Sequence, residues 1–176
     1  MIAFVRKFFP GALPVLALPF LTGPVPGVAE TLPEVQVRLV TDLRADGRLA
    51  RQRQVPILIM FSMTHCPYCV VVREEFLKPM LRNPDYADRV IIREIHTDDY
   101  VTLRDFDGQP VTADELAHRY HASLAPTVVF LDADGRELAK RLVGITTVDY
   151  YGGFLDEAID SSLQRLRQVV LNQPIE

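Results

Sequence analysis

The sequence lacks an uninterrupted apolar run of the roughly 20 residues that a membrane-spanning helix needs. Its apolar stretch at residues 8–21 is broken by Pro10, Pro14 and Pro19. An excess of basic residues is also missing, since 19 Lys and Arg stand against 23 Asp and Glu. With this charge balance and no basic stripe, nothing points to binding of nucleic acid or of an anionic membrane. Internal repeats and low-complexity segments are absent as well.

The first residues have the three-part pattern of a secretory signal peptide. The basic residues Arg6 and Lys7 precede the apolar stretch, and small residues lead up to Ala29. We therefore predict that residues 1–29 are a signal peptide that is cleaved after Ala29. The protein is then expected to be periplasmic and soluble after cleavage. Residues 30–176 are enough for one domain with its own core and short for two.

Local patterns along the rest of the chain indicate helices and buried strands. Residues 55–62 are apolar without polar alternation, which is typical of a strand buried on both faces. The dipeptide Asp134-Gly135 between two apolar runs is a hairpin signal. Thr112 and Glu115 have the spacing of a capping box at the start of a helix.

The order of these elements predicts an α/β fold, in which a mixed β-sheet with a C-terminal antiparallel hairpin is flanked by helices. The predicted elements are a helix at 32–54 interrupted or ended near Gly47, a strand at 55–62, a helix at 70–81 that Pro79 kinks or ends, a strand at 89–95, a surface insertion at 97–111, a helix at 112–122, two strands flanking residues 134–135, and a helix at 147–171.

The only two cysteines, Cys66 and Cys69, are separated by two residues. A structural disulfide over so short a loop would remove little entropy from the unfolded chain. A zinc site needs four ligands, and the chain has no second Cys-x-x-Cys. Covalent haem attachment requires a histidine after the second cysteine, where Val70 stands. Reversible thiol–disulfide chemistry is therefore favoured, and a metal-binding or partner-docking module remains the alternative.

The surroundings of the pair support this chemistry. A predicted buried strand leads into the motif and a predicted helix begins at it, with Pro67 just inside the helix start. The unpaired N–H groups of a helix N-terminus stabilise a thiolate on Cys66. Cys69, one turn into the helix, should be more buried. We therefore expect Cys66 to attack a partner disulfide and Cys69 to resolve the mixed disulfide.

The segments "PILIMFSMTHCPYC" and "APTVVFLDADGRELAKRLVG", together with the terminal helix, resemble the thioredoxin superfamily over most of residues 40–170. The resemblance implies a thioredoxin fold. It also implies that Pro126 is a cis proline packed beside the cysteine pair and shaping the docking groove. The backbone of Ala125, the preceding residue, would then pair with an extended segment of a bound partner.

Two departures from cytosolic thioredoxins concern the electrostatics of the site. Where those proteins have Trp before the first cysteine and Gly-Pro between the pair, this chain has His65 and Pro67-Tyr68. Met60 occupies the place of a buried Asp thought to assist deprotonation of the second cysteine. Glu94 on the next strand is a weak candidate substitute, because a charge on a strand more often points to solvent.

The roles of His65 and Tyr68 follow from their places beside the cysteines. An imidazolium at His65 would stabilise the Cys66 thiolate and raise the reduction potential. The alternative is a ring that points to solvent, and the sequence does not favour either. We expect Tyr68 to be a surface contact for partners, and Pro67 to contribute to redox tuning.

The resemblance extends to exported thioredoxin-like proteins, including those linked to sulfur oxidation and to cytochrome maturation, through "REEFLKPML", "DFDGQPVTADELAHRY" and "DYYGGFLDEA". It implies a thiol–disulfide oxidoreductase acting on cysteines of exported proteins. We expect a monomer with no metal and no cofactor other than the Cys66–Cys69 disulfide, recharged by a membrane electron-transfer protein. Strong oxidants of the superfamily carry a long helical insertion before the cis proline, whereas only one short helix is predicted here. A reductant is therefore expected, with a dithiol oxidase as the alternative.

Overall fold

The computed structural model describes residues 34–171, so the predicted signal peptide at 1–29 lies outside the described residues. The strands are β1 (Arg38–Leu39), β2 (Ile57–Ser62), β3 (Ile91–His96), β4 (Thr102–Arg104), β5 (Pro110–Thr112), β6 (Thr127–Leu131) and β7 (Leu142–Val143). The α-helices are α1 (Leu43–Arg53), α2 (Pro67–Val71), α3 (Lys78–Arg82), α4 (Ala113–Arg119) and α5 (Val148–Leu171). Within this part of the chain, no helix is both long and apolar enough to span a bilayer.

Five strands form one mixed sheet in the order β1-β3-β2-β6-β7. The first three are parallel to one another, and β6 and β7 are antiparallel to their neighbours. The predicted fold, a mixed sheet with a C-terminal antiparallel hairpin and flanking helices, is therefore confirmed. The predicted turn between the hairpin strands is also present, with Gly135 at φ +81°, a left-handed conformation that favours glycine.

The central strand β2 is buried along its whole length, as the continuous apolar run predicts. Its two faces are covered by different layers of helices. Phe61 points to the layer of α1 and α4, where the centroid of its ring lies 6.0 Å from the centroid of the Tyr120 ring. The opposite face of the sheet is covered by the helical segment that follows β2. The centroid of the Phe76 ring in that segment lies 5.1 Å from that of the Tyr151 ring in α5.

The predicted helix at 32–54 was wrong in its first half and at Gly47. The chain there forms β1, and α1 begins after Asp42, whose carboxylate accepts a hydrogen bond from the Ala45 N–H at 2.8 Å. Gly47 lies inside α1 and neither interrupts nor ends it. A Cβ at this position would lie 2.4 Å from the carbonyl oxygen of Ala133, so close packing of another segment explains the glycine.

The segment at 97–111 that was predicted to be a surface insertion lies mostly at the surface, but most of it is an ordered hairpin and not an irregular loop. Strands β4 and β5 pair antiparallel, and the side chains of Leu103 and Val111 are buried. Asp105 between the strands is buried too, and it accepts a hydrogen bond from Arg119 of α4 at 2.6 Å. The hairpin could not be predicted from composition, because its two buried apolar residues, Leu103 and Val111, stand among polar turn residues.

The helix after the cysteines continues past Pro79 to Arg82, through a π-helical turn at Val72–Leu77. A regular α-helix would bring the proline ring against a carbonyl one turn earlier, and the wider π-helical turn lies just before this position. Pro79 therefore does not end the helix, and the other half of the prediction, a kink at this residue, stays a prediction. The capping box at the start of α4 is confirmed, with hydrogen bonds between Thr112 and Glu115 in both directions.

Candidate functional site

The two cysteines lie where the chain passes from β2 into α2. Cys66 is the N-cap residue of α2, and its Sγ accepts a hydrogen bond from the Cys69 N–H at 3.1 Å. Pro67 occupies the first helical position, where a missing N–H removes no hydrogen bond. The predicted placement of Cys66 at a helix N-terminus is confirmed. The Cys69 N–H of this first turn therefore points at the sulfur of Cys66.

Cys66 and Cys69 form a disulfide, with an S–S distance of 2.18 Å and Cα atoms 5.3 Å apart. Cys66 is partly exposed, whereas Cys69 is fully buried. The predicted difference in burial is therefore present. Because only one sulfur is accessible, an incoming thiolate or disulfide can reach Cys66 and not Cys69 without a structural change. We call the continuous helical segment 67–82, which begins at this disulfide, the redox helix.

The loop that precedes Cys66 is held by Asp98, a residue with no recognisable signal in the sequence. The Thr64 N–H donates to both carboxylate oxygens of Asp98, at 3.0 and 2.9 Å. This backbone hydrogen bond lowers the pKa of the exposed Asp98 carboxyl below its ordinary value. Asp98 follows β3 in the segment predicted as an insertion, and no local pattern indicates its partner.

The predicted tuning residues are all at the surface. His65 is exposed with φ +60°, and Pro67 is exposed as well. Within residues 34–171, no hydrogen bond or ion pair involves the His65 side chain, so its predicted effect on Cys66 stays a prediction. Tyr68 is 62% exposed, which is compatible with the predicted surface contact. Apolar side chains are also exposed at Met63 and Val70.

The Ala125–Pro126 peptide bond is cis, as the resemblance predicts. Pro126 is buried, and its carbonyl oxygen accepts a hydrogen bond from the Gly144 N–H at 2.7 Å. Thr127, the next residue, pairs with Phe61 near the end of β2. The cis proline and the cysteine segment therefore lie at the same end of the neighbouring strands β2 and β6. No other described residue hydrogen-bonds to the backbone of Ala125.

A buried charged cluster lies on the face of the sheet that the redox helix covers. Glu94 is only 1% exposed, so the expectation that its charge points to solvent was wrong. Arg73 donates to it through Nε at 2.8 Å and Nη2 at 2.5 Å, and Ser62 donates through Oγ at 2.6 Å. Burial raises the pKa of Glu94, but these hydrogen bonds outweigh burial and hold the pKa below its ordinary value.

Glu94 is in register with Met60, the residue at the position where a buried Asp is found in cytosolic thioredoxins. Partners in a parallel pair point to the same face of the sheet. Arg73 and Ser62 could not be identified from the sequence, because they lie on other elements and carry no local signal of contact with β3. The described residues contain no group of three or more His, Cys, Asp or Glu suited to hold a metal ion.

The family model for the thioredoxin-like domain matches residues 43–159 of this chain. Among solved structures, a thioredoxin from Nicotiana alata is 19% identical, with 72% of this chain and 96% of that chain covered and a TM-score of 0.47. A thioredoxin from Malassezia sympodialis is 19% identical, with 74% and 96% covered and a TM-score of 0.49. One from Fasciola hepatica is 19% identical, with 70% and 97% covered and a TM-score of 0.45. No curated protein matches the chain.

Proposed function

Because the chain belongs to the thioredoxin-like domain family, we propose that it is a thiol–disulfide oxidoreductase acting on cysteines of exported proteins. The observation that carries this proposal is the Cys66–Cys69 disulfide at the start of the redox helix, with one sulfur accessible and the other buried. This asymmetry assigns one cysteine to attack and the other to resolution.

As a reductant, the protein begins its cycle with both thiols reduced. The Cys66 thiolate attacks one sulfur of a substrate disulfide, and a substrate thiolate leaves as the mixed disulfide forms. Deprotonated Cys69 then attacks Sγ of Cys66, the second substrate thiolate leaves, and the Cys66–Cys69 disulfide forms. Two electrons and two protons pass to the substrate in total. A dithiol donor, which we propose to be a membrane electron-transfer protein, restores the two thiols by the same exchange.

The cis-proline segment is proposed to hold the substrate chain during this exchange. The backbone N–H and C=O groups of Ala125 are free of hydrogen bonds to other described residues. They lie before the start of β6, beside the end of β2 from which the cysteine segment departs, and an extended substrate segment can form backbone hydrogen bonds with such groups. Exposed Tyr68 on the first turn of the redox helix would contact the same partner.

The reductive direction is supported by the short helical content between the cysteines and Pro126. After the redox helix, the helices that the structure describes in this interval are a single 3-10 turn at Pro84–Tyr86 and α4, which has seven residues. The reduction potential, measured in glutathione buffers, distinguishes the directions. A value near about −270 mV is that of a thioredoxin-like reductant, and one near about −120 mV is that of a strong oxidant.

Export to the periplasm and action as a monomer are part of the proposal. Export is supported by the signal-peptide pattern of residues 1–29. The mass of the protein recovered from a periplasmic extract, and its elution volume, test both points. A mature chain that still contains Arg6 and Lys7, or a protein retained in the cytoplasm, would contradict export.

The activity itself is tested with a Cys69→Ser variant. Attack by Cys66 should still occur while resolution is blocked, so the variant should accumulate mixed disulfides with exported proteins. The Cys66→Ser/Cys69→Ser double variant is the control and should trap nothing. If the single variant also traps nothing, and the wild type neither reduces insulin nor oxidises dithiols, the enzyme function is refuted.

A further inference from the structure

The exchange chemistry described above does not use the buried cluster around Glu94. Arg73 binds the carboxylate with two nearly parallel N–H donors, the geometry of a strong charge-assisted pair. Ser62 occupies a further acceptor position, and His96 Nε2 lies 3.3 Å from the same oxygen. The carboxylate is therefore well supplied with donors, and its lowered pKa makes it a poor acceptor for a proton from a thiol.

The cluster is close to the buried sulfur along the chain and across the layers. Arg73 follows Cys69 by four residues in the redox helix, so the two side chains lie about one turn apart on the same side of it. The helix covers the face of the sheet on which Glu94 stands. The ion pair thus lies between the sheet and the turn of the redox helix that follows Cys69, where Glu94 and Cys69 are buried and the Arg73 side chain is 21% exposed.

Charges in such a region act strongly on the ionisation of a neighbouring thiol. A guanidinium alone would stabilise a thiolate and hence the reduced form of the pair. A carboxylate alone would disfavour the thiolate and hence favour the disulfide. Together Arg73 and Glu94 are neutral, and their opposing effects largely cancel.

We propose that Arg73 and Glu94 are positioning residues that set the dithiol–disulfide equilibrium of Cys66 and Cys69 by placing a charge-balanced ion pair beneath the redox helix. The inference rests on the proposed redox function of the cysteine pair. It assigns Glu94 an electrostatic role and not that of a general base. The equilibrium concerned is dithiol to disulfide, with two electrons and two protons passing to oxidised glutathione, which becomes two reduced glutathione molecules.

The test is the equilibrium constant with glutathione, read from the fraction of alkylated thiols by mass spectrometry. Glu94→Gln leaves the guanidinium unbalanced, so we expect the reduced form to gain about tenfold, equivalent to about 30 mV. Arg73→Met leaves the carboxylate unbalanced, and the expected change is similar in size and opposite in sign. The double variant should return to within a few-fold of the wild type.

Asp46→Asn provides a matched control. Asp46 of α1 accepts hydrogen bonds from Arg93 at 2.9 and 2.6 Å on the opposite face of the sheet. Arg93 is the neighbour of Glu94 in β3, so this variant also breaks a largely buried pair on that strand. A purely structural role for the Arg73–Glu94 pair predicts lower stability in all of these variants without opposite changes in the equilibrium.

Opposite changes in the two single variants, near-cancellation in the double variant and no change in Asp46→Asn would support the proposal. Changes of the same sign, or none, would overturn it. If Glu94→Gln does not fold, the test is a comparison of the equilibrium constants of Arg73→Lys and Arg73→Met. The lysine keeps the charge and should remain near the wild type, and equal values for both would refute the proposal. Failure of the proposed function would appear separately, as a wild-type disulfide that does not exchange with glutathione.

Discussion

An alanine at position 47 would bring a Cβ atom to 2.4 Å from the carbonyl oxygen of Ala133 and to 3.4 Å from the Phe106 ring. Helix propensity alone favours Gly47→Ala by about 1 kcal/mol in a helix interior. The contact opposes this gain, because the atom that must move belongs to the backbone of another segment. Overpacking of this kind costs about 1–3 kcal/mol, and relief of a contact as short as this one should fall at the upper end. We therefore expect a net loss of stability of about 1–2 kcal/mol.

Gly153 provides the matched control, since it also lies in a helix but nothing lies within 4 Å of a Cβ placed there. Gly153→Ala should be neutral or stabilise the protein by up to about 1 kcal/mol. Urea unfolding followed by circular dichroism gives both free energies of unfolding. An increase in stability for Gly47→Ala that matches Gly153→Ala would refute the reasoning, because the close approach of Ala133 would then have no energetic consequence.

Three further outcomes are expected. Tyr151→Phe should leave the free energy of unfolding in urea unchanged or raise it, because the buried Tyr151 hydroxyl has no hydrogen-bond partner among the described residues. Tyr120→Phe should lower that free energy by about 1 kcal/mol, because the Tyr120 hydroxyl donates to the carbonyl oxygen of Gly135. Equal losses of stability in the two variants would contradict this. In the reduced protein iodoacetamide should modify Cys66 before Cys69, because only Cys66 is accessible, and peptide mapping that finds the reverse order would oppose the assigned roles. The lowered pKa of Glu94 stabilises the fold above the unfolded-state pKa of about 4.3, and this contribution is lost as pH falls through the folded-state pKa. Between pH 7 and pH 3 the urea midpoint of Glu94→Gln should therefore fall less than that of the wild type, and an equal fall would contradict the linkage.

The cysteine site could be predicted from the sequence because its determinants are local. The apolar run of β2, the position of Pro67 and the spacing of Cys66 and Cys69 all lie within about a dozen residues. Strand burial, the N-terminal proline and helix capping each depend on neighbours along the chain. For the same reason the capping box of α4 and the Asp134-Gly135 turn were predicted correctly.

The features that were missed depend on contacts between distant segments. Gly47 looked like a helix terminator because the carbonyl of Ala133 that requires a glycine lies far along the chain. Glu94 looked like a solvent-facing charge because Arg73, which makes its burial tolerable, lies on another element. Asp98, which holds the loop before Cys66, lies after a different strand. Propensity and periodicity carry no information about such pairs.

The charges on β3 also explain how this strand keeps its register. Arg93 and Glu94 are adjacent and point to opposite faces, where they meet Asp46 of α1 and Arg73 of the redox helix. A slip of the strand by one residue would exchange the faces of all its side chains.

Such a slip would set Arg93 against Arg73 and Glu94 against Asp46. Like charges in these largely buried positions would lack partners, which is strongly unfavourable. The backbone ladder between β3 and its parallel neighbours does not distinguish the two registers by itself, because it would form in either. The two ion pairs therefore provide the discrimination, and the residues that we propose to balance the charge beneath Cys69 also fix the strand on which one of them stands.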